Sequence, residues 1–343
     1  MKSTGKQMLK AVIFLGIFLG LFICVQDFLR LKDNGYKTES FYELERDTCD
    51  VVFLGSSTML AVQPMELYGK YGITSYNLAQ HGQSFALTYY SLVDAIKYQH
   101  PKVVVVDVHT IYRTDKDFKN EFAHYTLDNM PFGINRIQAV FDVIKKEERM
   151  EFLLPIVRYH TRWKELAALD FKGVHDFWRG TYFRGGMEKF SAENITIVPE
   201  NETAELGEIG REYLEKIIQL CKDENISLVL TNMPLCVEKT WTNVQRQYNH
   251  VKKIAEENGI VYINYMHVDA GIDIARDFYN YEHLNIQGGL KISDHIGDYL
   301  HATYDLTDHR GEPDYAIWAS DYEMYKKQKE KFLDDFYKRY GKK

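Results

Sequence analysis

Four cysteines and seven prolines are all that the 343 residues contain of either. The cysteines, at 24, 49, 221 and 236, fall at no metal-ligand spacing and are too few and scattered for a disulfide framework. No metal site and no cofactor is therefore expected. Cys24 lies in an apolar run, and the other three read as small buried hydrophobes. An excess of positive charge is also missing: 42 Lys and Arg stand against 49 Asp and Glu, a net charge of -7, so no basic field points to nucleic acid. No internal repeat and no low-complexity block interrupts the chain. Near the N-terminus the small residues of an Ala-x-Ala cleavage pattern are lacking, and Ile23 stands where a lipoprotein signal needs a small residue before Cys24.

What that N-terminus does have is Lys2, Lys6 and Lys10, followed by "AVIFLGIFLGLFICV", 15 residues without a charge. Extended from Met8 to Leu29, the run approaches the ~20 residues that a bilayer core requires. The expectation is an uncleaved signal anchor over residues 1–30. The three preceding lysines, set against Asp27, Arg30, Lys32 and Asp33 after the span, orient the N-terminus inward and residues 31–343 outside the membrane. Residues 31–47 read as a polar, partly helical stalk.

From Asp50 onward, strand and helix patterns alternate. Strands are expected at 51–55 ("VVFLG"), 73–77, 102–108 ("KVVVVDV"), 227–233 and 260–265, and helices at 85–99, 208–225 and 242–259. Near-continuous β-branched runs suit parallel strands covered on both faces. Leu214, Ile217, Ile218 and Cys221 form a stripe for docking on such a sheet. The expected fold is α/β, a three-layer flavodoxin-like sandwich around a mostly parallel five-stranded sheet. Its main domain spans 48–302, with a helical and loop insertion at about 110–205 and a polar helical tail at 303–343. "RYHTRW" (158–163), in the insertion, reads as structural or as lining a site.

Ligands of an open α/β sheet sit beyond the carboxyl ends of its strands. There the sequence places Ser56 and Ser57, then "NLAQHGQS" (77–84), His109, Asn232 and "DFYNYEHLNIQGG" (277–289). Serine, glycine and histidine on one rim suit a nucleophile, an oxyanion hole and a general base. Each also has a plainer reading. Gly-Ser-Ser after a strand makes a helix N-cap, Gly82 a turn, and His283 one of 12 histidines. Asp107 reads as a capping acceptor or a functional acid, and Asn285 as the cap of the last helix of the domain.

Taken together, "VVFLGSST", "YNLAQHGQS" and "NYEHLNIQGG" resemble three of the four blocks of the SGNH (GDSL-type) hydrolase superfamily, in order, over residues 48–302. The Gly-Ser-Ser form resembles the membrane-anchored branch that includes teichoic-acid D-alanylation and exopolysaccharide O-acetylation proteins. The resemblance implies Ser57 as nucleophile, His283 as base, and the amides of Ser57 and Gly82 in the oxyanion hole. Two positions depart from the pattern. Where the third block has asparagine the chain reads Val108-His109-Thr110, leaving His109 as a substitute donor. Three residues before His283 stands Asn280 instead of aspartate, and Asp277 is the alternative partner for the imidazole.

The implied activity is O-acyl transfer to, or ester hydrolysis on, a cell-envelope polysaccharide or teichoic-acid-like polymer, in partnership with a membrane-bound O-acyltransferase. The alternatives are a catalytically silent module that binds the polymer or scaffolds the acyltransferase, and a lipid esterase at the bilayer.

Overall fold

The computed structural model describes residues 2–30, 36–114, 119–171 and 175–342. Five strands, β1 (Val51–Leu54), β2 (Ser75–Asn77), β3 (Val103–Asp107), β4 (Ser227–Asn232) and β5 (Val261–Asn264), form one sheet in the order β2-β1-β3-β4-β5. Every neighbouring pair is parallel, and the order is that of the flavodoxin-like doubly wound fold. Alternation along each strand fills two cores. Val52, Leu54, Val104, Val106, Leu228 and Leu230 face one layer, whereas Val51, Phe53, Val103, Val105 and Val229 face the other. A period of two with both faces apolar is what three layers demand.

Twelve α-helices occur among the described residues. The first two are α1 (Lys2–Leu29) and α2 (Tyr36–Tyr42); α3 (Pro64–Tyr71) and α4 (Phe85–Gln99) follow β1 and β2. The insertion supplies α5 (Asn120–Leu127), α6 (Ile134–Val143), α7 (Arg149–Leu153) and α8 (Ile156–Tyr159). Completing the fold are α9 (Glu208–Asp223), α10 (Thr242–Asn258), α11 (Ile286–Thr303) and α12 (Ala316–Tyr340). Side chains of α4, α9 and α10 fill the first core, and Ile292, Ile296 and Leu300 of α11 the second. Local chemistry sets the ends. Ser84 caps α4 by accepting the Leu87 N–H, and Asn285 caps α11 through the amides of Gln287 and Gly288. Gly259 closes α10 in the left-handed conformation at φ +68°. Cys49, Cys221 and Cys236 are buried.

Two segments differ from the sequence expectation. The partly helical stalk expected at 31–47, of which 31–35 lie outside the described residues, does contain a helix, α2, but its Lys37, Thr38, Ser40 and Phe41 are buried in the domain. Phe41 joins the first core and stacks edge-on against Tyr76 of β2 at 5.1 Å. The tail is likewise part of the body. Trp318, Tyr325 and Phe336 of α12 are core residues and Phe332 packs beside them, a stripe at near-heptad spacing that a low mean hydropathy concealed. Helix α1 is long and apolar enough to cross a membrane over Gly5–Leu29, with none of that span's most apolar window buried in the protein.

Candidate active site

The turn after β1 begins at Gly55, with φ +146°, where an added Cβ would lie 2.7 Å from the Cβ of Asp107 on β3. Only glycine meets that backbone at that approach. Beyond it, Ser56 is buried and its Oγ lies 3.1 Å from the Thr58 hydroxyl. Thr58 donates in turn to the Asp107 carboxylate, whose other oxygen accepts the His109 N–H at 3.1 Å. Burial raises the Asp107 carboxyl to about 7. Asp107 therefore acts as a buried acceptor that clamps the serine turn to the end of β3.

Ser57 faces the other way. Its Oγ lies 2.8 Å from His283 Nε2, across a sequence separation of 226 residues. His283 sits on β7 (His283–Leu284), which pairs antiparallel with β6 (Phe278–Asn280) in a small irregular hairpin between β5 and α11. That hairpin brings Asn280 Oδ1 to 2.9 Å from His283 Nδ1. The same oxygen accepts the backbone N–H groups of Glu282 at 3.1 Å and His283 at 2.9 Å, which fixes the amide orientation. The imidazole must then carry its proton on Nδ1 and offer the Nε2 lone pair to the serine hydroxyl.

The environment keeps this imidazole neutral. Burial, reinforced by Arg184 and His81, lowers the His283 pKa to about 3. Arg184 donates from Nη2 to the Ser57 carbonyl at 2.9 Å and lies over the Tyr182 ring at 5.3 Å. The Tyr182 hydroxyl pairs with His81 Nε2 at 2.9 Å. Burial also lowers His81, to about 4.

The loop after β2 is tied to the serine turn by Gln80 N–H to Gly55 O at 3.2 Å, and by the Asn77 amide to the carbonyls of Met59 and Val62. This positions Gly82, at φ +59°, where a side chain would collide with the Phe122 ring. Among the described residues, the amide N–H groups of Ser57 and Gly82 have no intramolecular acceptor, which leaves both free to donate. Beneath the loop, Lys37 of α2 donates to the carbonyls of Ala79 at 3.0 Å and Gly180 at 3.3 Å, and Gln80 reaches Thr38 at 2.7 Å. A cavity of about 360 Å³ runs from Gly82 past Arg113, Asp142, Glu212 and Tyr213.

Two candidates take other places. Asp277 is buried, and its carboxylate accepts from the Asp273 amide at 2.7 Å and from Lys291 Nζ at 2.6 Å. It braces the approach to α11, and Asn280 holds the imidazole instead. The His109 ring is 3.2 Å from the Tyr248 hydroxyl through Nδ1 and stacks beside Trp241 at 6.2 Å. The ring is buried in that aromatic wall, and its Nε2 lies 3.9 Å from Glu282 Oε1. Arg184, Tyr182, His81 and Lys37 had no assigned role in the sequence. Only His81, inside a quoted motif, carried any signal there.

No protein-family model and no curated protein matches the sequence. Among solved structures, the chain is similar to a "putative acylhydrolase" of Bacteroides fragilis and a GDSL-like lipase of Bacteroides thetaiotaomicron. Each is 12% identical with a TM-score of 0.35, covering 76% of this chain and 88% and 89% of theirs. At that level of likeness the chemistry of those proteins does not transfer.

The low pKa of His283 has a readable consequence. The base works when neutral and protonates only near pH 3, so hydrolysis of p-nitrophenyl acetate should hold level from pH 7 to about pH 4. Asn280→Asp sets a carboxylate against Nδ1–H, favours imidazolium, moves the acid limb toward neutrality and raises kcat about 10-fold or more. An acid limb near 6.5 in the unaltered protein would contradict the effect of burial and Arg184.

Proposed function

We propose that the chain is an extracytoplasmic serine-dependent O-acyl transferase or esterase acting on a cell-envelope polysaccharide or teichoic-acid-like polymer, a member of the SGNH superfamily's membrane-anchored branch. The observation that carries this reading is the relay Ser57–His283–Asn280 at the carboxyl edge of a parallel sheet. As Ser57 Oγ bonds to an acyl carbon, its proton passes to His283 Nε2. The amides of Ser57 and Gly82 stabilise the oxyanion, and the proton then leaves with the departing alkoxide. A polymer hydroxyl or water reverses the sequence to release the acyl group. Tyr279 and Tyr281, half-exposed on the His283 hairpin, and Trp241 beside Tyr281 at 6.4 Å offer aromatic faces with polar edges, which suit an amphipathic sugar ring. Helix α1 serves as the anchor with the domain outside, so the acyl group arrives through the membrane, from an integral O-acyltransferase.

A fluorophosphonate probe tests the assignment. Ser57 should label, labelling should vanish in Ser57→Ala, and it should persist in Ser56→Ala. A folded protein that takes no label favours the second reading, a silent polymer-binding module. The amide in place of a carboxylate at Asn280 is the observation on that side.

A further inference from the structure

The outward face of the insertion is apolar where a soluble surface would be polar. Helix α6 buries Arg136, Ala139 and Val140 against the body and turns Ile134 and Phe141, seven residues apart on one face, outward at 77% and 50% exposure. Gly133 is fully extended (φ -179°, ψ -174°), and Phe132 before it is 70% exposed, its ring 5.8 Å from the Arg136 guanidinium. Met150, Val157, Trp163 and Phe171 continue the exposure through α7, α8 and the turns beyond. Outside α1, seven of the thirteen exposed large hydrophobics of the described residues fall in this stretch. Such clustering marks an interaction surface.

The position of the stretch identifies what covers it. α6 packs on α7, α7 on α8, and α8 with the 3-10 turn His160–Lys164 on the end of α1. Arg162 reaches the carbonyls of Leu29 at 3.4 Å and Arg30 at 3.3 Å, and Phe171 meets Phe28 at 5.1 Å. The apolar span of α1 is 25 residues, about 37 Å at ~1.5 Å per residue, against a hydrocarbon core of about 30 Å. Its last turn therefore lies at the membrane surface, and the insertion is fastened to that turn.

We propose that α6–α8 and the turns to Phe171 form a platform that lies in the headgroup–acyl boundary of the bilayer, with Trp163 and Phe141 as its anchors. The inference rests on α1 lying in the bilayer. Seven basic and six acidic side chains between 132 and 171 leave the platform near neutral. Its insertion is accordingly driven by apolar burial and needs no anionic lipid. Asp142 and Val143, next to Phe141, line the cavity that runs to Gly82. The platform thus sets this cavity, which has Gly82 of the candidate site in its wall, beside the lipid, where an acyl group crossing the membrane emerges.

The test uses the full chain in phosphatidylcholine nanodiscs. In a C24S background, where the remaining cysteines are buried, NBD is attached at W163C, F141C, F14C on α1, and K253C on exposed α10. Doxyl-lipid should quench the labels at 163 and 141 severalfold more than the label at 253, approaching the label at 14. Quenching at 14 with 163 and 141 as wet as 253 overturns the platform and leaves the anchor standing. All four labels wet overturns the anchor and the platform with it.

Discussion

Ser57→Ala lowers turnover of an acyl ester by about 10⁴-fold or more, and His283→Ala does nearly the same. The two losses do not add, because hydroxyl and imidazole form one device: without the lone pair on Nε2, 2.8 Å away, the serine remains a neutral alcohol. The residual rate expected is that left by the proposed oxyanion donors, the amides of Ser57 and Gly82, which neither change removes. Ser56→Ala serves as the reference. Its hydroxyl is turned into the Thr58–Asp107 network, so the loss is one buried hydrogen bond, about 1 kcal/mol of stability, with turnover preserved. Steady-state rates on p-nitrophenyl acetate, with circular dichroism as the folding control, separate these cases. Equal losses in Ser56→Ala and Ser57→Ala would show that the turn matters only as structure.

The contrast between adjacent serines marks how far the sequence could be read. Strands such as "VVVVD" are legible because burial on both faces leaves a continuous β-branched run, and all five central strands lie within the expected segments, although β2, Ser75–Asn77, has no β-branched residue. The meeting of Ser57 with His283 is legible because parallel topology gathers loops at carboxyl ends onto one rim. Choosing Asn280 over Asp277 was not open to sequence reasoning. Both precede the histidine closely, and only the irregular register of the β6–β7 hairpin aims one at the ring and the other at Lys291. Lys37 and Arg184 stayed hidden for another reason. A lone cation in a polar stretch looks solvated, and its burial depends on carbonyl acceptors at Ala79, Gly180 and Ser57 that come from distant segments.

The same blindness hid the ion pair on which α12 turns, and its removal should have the largest effect on stability. Asp321 is 1% exposed and pairs with Arg179, itself fully buried with its guanidinium 4.1 Å from the Trp318 ring centroid. Asp321→Ala leaves that guanidinium buried without its counter-charge, at a cost of about 3–5 kcal/mol. The midpoint of thermal unfolding should fall by about 4–7 °C. Arg179→Met costs less, because His175 Nε2, 2.6 Å away and partly exposed, still satisfies the carboxylate. The double change Arg179→Met, Asp321→Leu should recover much of the loss, since an apolar pair of similar volume removes both charges together. The damage should also reach the rim of the sheet. Arg179 O accepts the Asn77 N–H at 2.9 Å, and Gly180, at φ +92°, packs so closely on Asn77 that an added Cβ would lie 1.8 Å from its carbonyl. Asn77 opens the loop that carries Gly82. In Asp321→Ala, activity should therefore decline at temperatures well below the unfolding midpoint, whereas in the double variant activity and fold should be lost together. If loss of activity and melting coincide in the single variant too, the ion pair supports the body of the fold without reaching the Gly82 loop.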